Sequence, residues 1–368
     1  MKKITTLLGF FLGILSFSIA QIPEGYYYSA VGKSGTELRT ALYNIIKDHT
    51  DILYSGIWNA YPDTDVKPNG KVWDIYSDVP DGTPPYEYFF SNKCGGSCTA
   101  EAQCYNREHT IPKSWFNDAS PMVSDLFHIY PTDGWMNSKR ANYPYGEVSN
   151  PTWTSQNGSK LGPCSYPGYT LTVFEPILAY KGDLARTYFY MCVRYMNQNL
   201  GQSNTSMFQN ANLQPWALNM LIEWHNADPV SQKEIDRNNV IYNTYQHNRN
   251  PFIDCPELVN LLFTADSVNA WWPTCFDWSH MDIEENVGGE NSRVALFPNP
   301  AQDYFVVQSG YYPIDRVEVV DVTGRVCLRM EVSGEHQVQV EAPHLKAGCY
   351  FVKVQTGSHA EILKWIKK

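Results

Sequence analysis

Long apolar runs and basic residues are both scarce in this 368-residue chain. The apolar run at residues 7–17 is shorter than the roughly 20 residues that a helical membrane span needs, and no later stretch approaches that length. The sequence therefore predicts no membrane span. It also contains no repeat and no low-complexity tract, which argues against a repeat architecture.

Only 28 residues are Lys or Arg, against 38 Asp or Glu, which gives a formal net charge of −10. Tight binding of polyanions depends on Lys and Arg that neutralise phosphates. The negative net charge therefore argues against a protein that binds nucleic acid over its whole surface. The local field matters more than the total. Because Arg107, Lys113, Lys139 and Arg140 cluster around one stretch of sequence, a local basic site is still expected.

The first twenty residues have the pattern of a secretory signal peptide. Lys2 and Lys3 precede the apolar run, and Ser18 and Ala20 put small residues at the expected cleavage site. We therefore predict a signal peptide at residues 1–20 and an exported protein.

Export affects how the nine cysteines are interpreted. The spacing of Cys94, Cys98 and Cys104 resembles metal ligands, but it is not a usual zinc pattern, and thiols tend to be oxidised outside the cytosol. We therefore predict disulfides in preference to zinc. Connectivity cannot be deduced from spacing; Cys327 and Cys349 are candidates for a bridge near the C-terminus.

Composition divides the remaining chain into two domains. With 43% hydrophobic and 14% aromatic residues, both can bury sizeable cores. Residues 282–293 are acidic and contain a Gly-Gly pair, which is typical of a linker between a domain at 21–281 and one at 294–368. We predict an α+β protein, with a mainly helical first domain and a small C-terminal β-sandwich.

Apolar spacing predicts the elements of each domain. Helices are expected at residues 35–47, 182–196, 215–226 and 228–242, and strands at 72–76 and 86–90. Residues 149–169 are rich in Asn, Ser, Gly and Pro, which predicts a long irregular connection. Six short strands indicate the sandwich. They are expected at residues 304–308, 316–321, 326–331, 336–340, 349–355 and 360–366.

The residues with chemical potential are concentrated in segment 104–115, CYNREHTIPKSW, where Glu108 stands beside His109. Neighbouring side chains of a strand point to opposite faces, so the two can share a site only where the strand ends. Pro112 favours such an end. A carboxylate to hold a metal, an imidazole to take a proton and cations for phosphate together indicate a hydrolase.

A second segment, at residues 124–143, supplies a helix. Thr132 or Asp133 is its predicted N-cap, and it is expected to reach residue 142, with Asn137 one turn in and Arg140 on the same face. A strand that carries His109, a return strand and a helix that presents Asn137 predict a ββα-metal finger.

These segments resemble the endonuclease I family of secreted bacterial nucleases. The resemblance rests on NREHTIPKSW at 106–115, SDL at 124–126 and NSKRAN at 137–142, and it continues through 181–191, 237–238 and 248–254. It covers roughly residues 40–275 as one co-linear set. One departure is His128, because the family pattern has His directly after Leu126.

The resemblance implies a metal-dependent endonuclease that cleaves DNA, or also RNA, with little sequence preference and leaves 5′-phosphate ends. His109 is expected to be the general base, and Glu108 and Asn137 to hold one divalent metal, Mg²⁺, with Mn²⁺ or Ca²⁺ as alternatives. Arg107 or Arg140 is expected to clamp the phosphate. We expect a monomer with modest, salt-sensitive affinity for nucleic acid.

Two features outside this site have competing interpretations. Residues 248–254 either line a substrate groove or form a buried polar brace, and we favour the brace. Arg186 lies three residues after Asp183 on a predicted helix, so we predict a structural salt bridge in preference to a phosphate contact.

The C-terminal domain carries a second resemblance. Segments LFPNPA at 296–301, DVTGR at 321–325, LKAGCYFVKV at 345–354 and KWIKK at 364–368 resemble the C-terminal sorting domain of the type IX secretion system. This implies export through the periplasm to the cell surface or medium, with the type IX machinery as a partner. A carbohydrate- or surface-binding β module is the alternative.

Two other functions remain consistent with the sequence. A secreted metallophosphodiesterase for small substrates would need a deep closed pocket in place of an open basic groove. A non-catalytic surface-binding protein has no need of a base beside a metal, so Glu108, His109 and Asn137 argue against it.

Overall fold

The computed structural model describes residues 22–23, 25–30, 33–96, 98–203, 206–264, 294–309, 313–357 and 359–368. The chain divides into two compact units, residues 1–276 and 277–368. The predicted signal peptide at 1–20 and the predicted linker at 282–293 lie outside the described residues. No helix within the described ranges combines the length and apolarity that a bilayer span requires.

The first unit is mainly helical. Its helices are α1 (Gly35–Ile46), α2 (Leu53–Thr64), α3 (Gly134–Arg140), α4 (Lys181–Arg194), α5 (Pro215–Ala227), α6 (Gln232–Val240), α7 (Pro251–Asp254) and α8 (Leu258–Phe263). Helix α4 lies at the centre, because all 14 of its residues are buried and it packs on α1, α5 and α7. Helix α6 starts with a capping box between Ser231 and Glu234 and continues into a π-helical turn, Ile241–Tyr245.

Short strands complete the first unit. Strand β1 (Tyr105–His109) pairs antiparallel with β2 (Ile129–Asp133), with Tyr105 opposite Asp133 and His109 opposite Ile129. Helix α3 follows β2 directly. The other strands form two small sheets: β3 (Trp153–Thr154), β4 (Lys160–Pro163) and β5 (Thr172–Glu175), then β6 (Phe208–Gln209) and β7 (Asn212–Leu213).

Most predicted helices are confirmed, with ends that differ by a few residues. The strands predicted at 72–76 and 86–90 are wrong. Only one backbone bond joins the segments, from the Val72 N–H to the Tyr88 carbonyl at 2.9 Å. The chain then turns, because Asp74 Oδ1 accepts the Tyr76 N–H at 2.8 Å. The connection predicted to be irregular contains β3 and β4, and α2 was not predicted.

The second unit consists of two antiparallel sheets. Its strands are β8 (Val294–Phe297), β9 (Tyr304–Ser309), β10 (Ile314–Asp321), β11 (Val326–Glu335), β12 (Gln337–Glu341), β13 (Gly348–Thr356) and β14 (His359–Lys367). The sheet orders are β11-β10-β13-β14 and β12-β9-β8. Phe305, Val340, Val352 and Trp365, which come from both sheets, belong to one hydrophobic core. All six predicted strands are present, and the α+β class is confirmed.

The cysteines bear out disulfides in part. Cys94 and Cys104 form a disulfide, and Cys255 is also disulfide-bonded. The Cys98 thiol is free and lies 3.7 Å from Cys94 Sγ. The suggested Cys327–Cys349 bridge is wrong. Both thiols are free, because β10 lies between their strands and holds the Cα atoms farther apart than a disulfide allows.

Candidate active site

Glu108 and His109 are the last two residues of β1, and both contact Arg140. Arg140, on α3, donates from Nη1 to the His109 carbonyl oxygen at 2.7 Å and from Nη2 to the Thr110 carbonyl oxygen at 2.5 Å. These bonds tie the helix to the strand end. The helix itself starts at its N-cap, Asp133, whose Oδ1 accepts the backbone N–H groups of the first turn.

The tautomer of His109 follows from one hydrogen bond. Its Nε2 lies 3.1 Å from the Val123 carbonyl oxygen. A carbonyl can only accept, so Nε2 carries the proton and the lone pair lies on Nδ1. Burial, and then the neighbouring His128, hold the pKa of His109 well below its usual value. The ring is therefore neutral at physiological pH and can accept a proton.

Glu108 is a buried carboxylate, 2% exposed. Its Oε1 accepts a hydrogen bond from the Tyr76 hydroxyl at 2.8 Å and lies 3.1 Å from Arg140 Nη1. Burial raises the pKa of Glu108 to about 7, although Arg140 and Tyr76 oppose the shift. Since both contacts involve Oε1, the other carboxylate oxygen, Oε2, is available to bind a metal ion.

Asn137 lies beside the same strand. Its Nδ2 donates to the Arg107 carbonyl oxygen at 3.1 Å, which fixes the orientation of the amide and assigns Oδ1 to the opposite side. One carboxylate oxygen and one amide oxygen form a donor set that suits a hard divalent cation such as Mg²⁺.

The two predicted phosphate clamps have different environments. Arg107 is half-buried, with Cζ 3.6 Å from the centroid of the Tyr54 ring and 4.6 Å from that of Trp58. Its Nη1 donates to the Tyr54 carbonyl oxygen at 2.8 Å. Arg140 is only 1% exposed, and both Nη groups donate to backbone carbonyls. Arg140 therefore lies in the interior, where it holds the backbone of the site, and Arg107 lies nearer the protein surface.

Other residues singled out in the sequence lie around this centre. His128 is fully buried behind His109, with ring centroids 5.4 Å apart, and its Nε2 donates to the Met122 carbonyl oxygen at 2.6 Å. Exposed Lys113 pairs with Asp118 at 2.7 Å. Lys139 Nζ lies 4.5 Å from the centroid of the Trp135 ring.

Sequence reasoning missed Tyr76 and Tyr54. Tyr76 holds the Glu108 carboxylate, and the Tyr54 ring lies 5.6 Å from that of His109. No spacing links either residue to segment 104–115. Tyrosines that pack in or beside a core are common, so only the folded chain reveals these contacts.

The two features outside the site have structural roles. Residues 248–250 are buried, and Arg249 Nη2 lies 2.6 Å from Asp254 Oδ1, which confirms the polar brace. Arg186 is a salt-bridged core residue, as predicted. Its nearer partner is Glu234, at 2.5 Å, while Asp183 lies 3.6 Å away.

Two family profiles match this chain. Endonuclease I matches residues 34–257, and the secretion system C-terminal sorting domain matches residues 295–368. An extracellular ribonuclease of Bacillus amyloliquefaciens is 37% identical over 251 residues, which cover 64% of this chain and 76% of that protein. An extracellular ribonuclease of Bacillus subtilis (strain 168) is 33% identical over 248 residues, with the same coverage.

A third relative is more distant. Endonuclease-1 of Buchnera aphidicola subsp. Acyrthosiphon pisum (strain APS) is 29% identical over 131 residues, which cover 35% of this chain and 44% of that protein. The Endonuclease I profile covers more than half of the chain, and the Bacillus relatives align over three quarters of their own length. The chain therefore belongs to the Endonuclease I family and is a secreted nuclease with a C-terminal sorting domain.

Proposed function

We propose that the first unit hydrolyses phosphodiester bonds of DNA and RNA with little sequence preference, with His109 as general base and one divalent metal held by Glu108 and Asn137. The observation that carries the proposal is the His109 tautomer. The lone pair of the His109 ring is on Nδ1. The preceding residue is Glu108, a buried carboxylate whose pKa is about 7.

His109 is assigned the proton transfer. Its Nδ1 takes a proton from the water that attacks phosphorus, and its Nε2–H donates to the Val123 carbonyl oxygen throughout. That bond keeps the ring in one orientation and stabilises the imidazolium that forms. The low pKa keeps Nδ1 unprotonated before the reaction.

Glu108 and Asn137 fit a divalent metal, Mg²⁺ with Mn²⁺ or Ca²⁺ as alternatives. A raised pKa marks Glu108 as a carboxylate that gains from added positive charge, and the Asn137 amide is held by its bond to the Arg107 carbonyl. When bound, the metal would supply positive charge that stabilises the charge growing on the phosphate. We expect 5′-phosphate ends.

The β1–β2–α3 segment is proposed to be a ββα-metal finger. Support comes from the chain order, the antiparallel pairing of β1 with β2, and the Asp133 cap that starts α3 directly after β2. This arrangement puts His109 on the strand and Asn137 on the helix.

Arg107 and Arg140 are given separate roles. Arg107 is proposed to contact the phosphate, because it is half-buried and its guanidinium lies over the Tyr54 ring, which is next to His109. Arg140 positions Glu108 and the His109 backbone, because its Nη donors already have partners.

The substrate follows from the relatives only as a proposal. Two are named extracellular ribonucleases and one Endonuclease-1, so both RNA and DNA are proposed substrates. The sorting domain is proposed to engage the type IX secretion machinery, and deletion of residues 294–368 in a host with that system should leave the protein in the periplasm. The enzyme is proposed to be a monomer.

The experiment that tests this function offers three substrates to the purified secreted protein, with Mg²⁺ and with EDTA. They are supercoiled plasmid, single-stranded RNA and the small diester bis(p-nitrophenyl) phosphate. Metal-dependent cleavage of the polymers, with ends that a ligase joins without prior phosphorylation, is expected. Turnover of the small diester alone would favour the small-substrate phosphodiesterase. Lack of any cleavage by folded protein with Mg²⁺, Mn²⁺ and Ca²⁺ would contradict a nuclease.

A further inference from the structure

Four side chains next to the catalytic centre alternate between aromatic rings and cations. Tyr54 and Trp58 lie one turn apart on the same face of α2. The Arg107 guanidinium contacts both rings, with Cζ 3.6 and 4.6 Å from their centroids. Lys93 Nζ lies 5.7 Å from the Trp58 centroid. We call Tyr54, Arg107, Trp58 and Lys93 the aromatic ladder.

The aromatic ladder starts at the general base and leads to the surface. The Tyr54 ring lies 5.6 Å from the His109 ring, with an angle of 30° between their planes. Tyr54, Arg107 and Trp58 are half-buried, and Lys93 is exposed. A ligand that reached His109 along this path from the surface would therefore meet an ammonium group, a ring, a guanidinium and a second ring.

That alternation matches the chemistry of a nucleic acid strand. Successive bases of single strands stack on aromatic side chains or on guanidinium planes, while cations pair with the phosphates between them. In a duplex the base faces are already stacked on one another. A ladder with both ring faces and cations therefore favours unpaired nucleotides over paired ones.

We propose that the aromatic ladder is a subsite for a single-stranded segment of the substrate beside the scissile phosphate, with a base on Trp58 and phosphates on Arg107 and Lys93. This inference rests on the proposed function, because it adds a substrate class to the same site. It makes single-stranded RNA or DNA a better substrate than duplex of equal length.

The rings are held in place before any ligand arrives. Trp58 packs edge-on against Tyr61 at 5.9 Å and Tyr105 at 5.6 Å, both of which are buried. Arg107 is fixed by its bond to the Tyr54 carbonyl oxygen at 2.8 Å. Side chains that are already ordered lose little entropy when a base stacks on them, so the subsite can contribute affinity efficiently.

The test compares wild type with Trp58→Ala, Trp58→Phe and Lys93→Gln in the secreted protein. With Mg²⁺, Trp58→Ala should raise KM for a single-stranded oligonucleotide by about tenfold, the loss typical of one stacked base. The change in its kcat, and in its cleavage of bis(p-nitrophenyl) phosphate, should be much smaller than the change in KM. Trp58→Phe should retain most of the wild-type KM. Tyr43→Ala is the matched control, since Tyr43 forms a ring–Lys47 pair on α1.

Binding in EDTA separates this inference from the proposed function. Affinities are measured for a labelled single-stranded oligonucleotide and for a hairpin duplex. Trp58→Ala and Lys93→Gln should weaken binding of the single strand and leave binding of the duplex unchanged. Wild type that binds in this way without cleaving would contradict the nuclease proposal and leave the subsite standing. The inference is overturned if both variants bind single strands as tightly as wild type does. It is also overturned if their affinity for the duplex falls as much as their affinity for the single strand. Lys93 is exposed, so Lys93→Gln gives this answer even if Trp58→Ala does not fold.

Discussion

Arg140 donates a hydrogen bond from Nη1 to the carbonyl oxygen of His109 at 2.7 Å. The same nitrogen lies 3.1 Å from Glu108 Oε1. One guanidinium on α3 therefore holds both the backbone of the proposed base and the carboxylate of a proposed metal ligand. Its position explains how a helix of only 7 residues can be fixed against a short strand with the accuracy that catalysis needs.

Replacing Arg140 by Met should destabilise the protein strongly. The change leaves Glu108 buried without its ion-pair partner, which typically costs about 3–5 kcal/mol. Because the pKa of Glu108 is about 7, the carboxyl is ionised at about pH 8 and mostly protonated at about pH 5, so the loss should be larger at the higher pH. Urea unfolding at both pH values measures it.

The control for Arg140→Met is Lys139→Ala, one residue earlier on a less buried side chain. It should change the free energy of unfolding by less than about 0.5 kcal/mol. An Arg140→Met protein as stable as wild type at the higher pH would show that the buried ion pair does not support the site.

Glu108→Gln and Asn137→Ala should each weaken Mg²⁺ binding at least about tenfold, a loss that even outer-shell partners commonly cause. Each change removes an oxygen ligand or its charge. Asn137→Asp keeps an oxygen at the same position and should retain binding. Isothermal titration calorimetry provides the affinities, and unchanged Mg²⁺ binding in Asn137→Ala would remove that residue from the metal site.

Mg²⁺ affinity should fall as the pH drops below about 7. Burial raises the pKa of Glu108 to about 7, so below this value the cation must displace a proton from the carboxyl. His109 does not contribute in this range, because its pKa lies well below the usual value. Titrations from about pH 8 to about pH 6 should show proton release rising as affinity falls. A pH-independent affinity would exclude Glu108 as the titrating ligand.

The candidate site residues could be proposed from sequence because they lie close together in the chain. Glu108, His109 and Pro112 are close in the chain, and Asn137 lies within one turn of a helix with a recognisable cap. Helix α2 could not be predicted in the same way. It contains Pro62, which normally argues against a helix interior, and it is stabilised by burial of side chains such as Ile57 and Tyr61.

Because α2 was not predicted, the prediction of the residues around the site was incomplete. Tyr54 and Trp58 reach Arg107 only because α2 packs beside β1, a contact between distant parts of the chain. Tyr76 belongs to the segment predicted as a strand at 72–76, but a turn at Asp74 directs its hydroxyl to Glu108. Strands β3 and β4 have only 2 and 4 residues, too few for a period to be read.

Loss of the Cys94–Cys104 disulfide should lower the free energy of unfolding by about 2–3 kcal/mol, the value expected for a short closed loop. The disulfide lies beside Gly134, the first residue of α3. A Cβ added to Gly134 would lie 3.4 Å from Cys94 Sγ, and the Gly134 N–H donates to the Cys104 carbonyl oxygen at 2.9 Å. A Cys94→Ser, Cys104→Ser double variant should therefore also loosen α3. Cys98→Ser keeps the disulfide and is the control. Equal stability of the double variant and wild type would contradict a structural role.

The central claim is that His109 is the base of a metal-dependent nuclease, and cleavage of supercoiled plasmid by His109→Ala tests it most directly. Wild type with Mg²⁺ should nick the plasmid, and EDTA should stop it. The variant should lose about 10²–10⁴ in rate, the usual contribution of a general base, while it still binds Mg²⁺ and nucleic acid. Cleavage by His109→Ala at the wild-type rate would contradict the account.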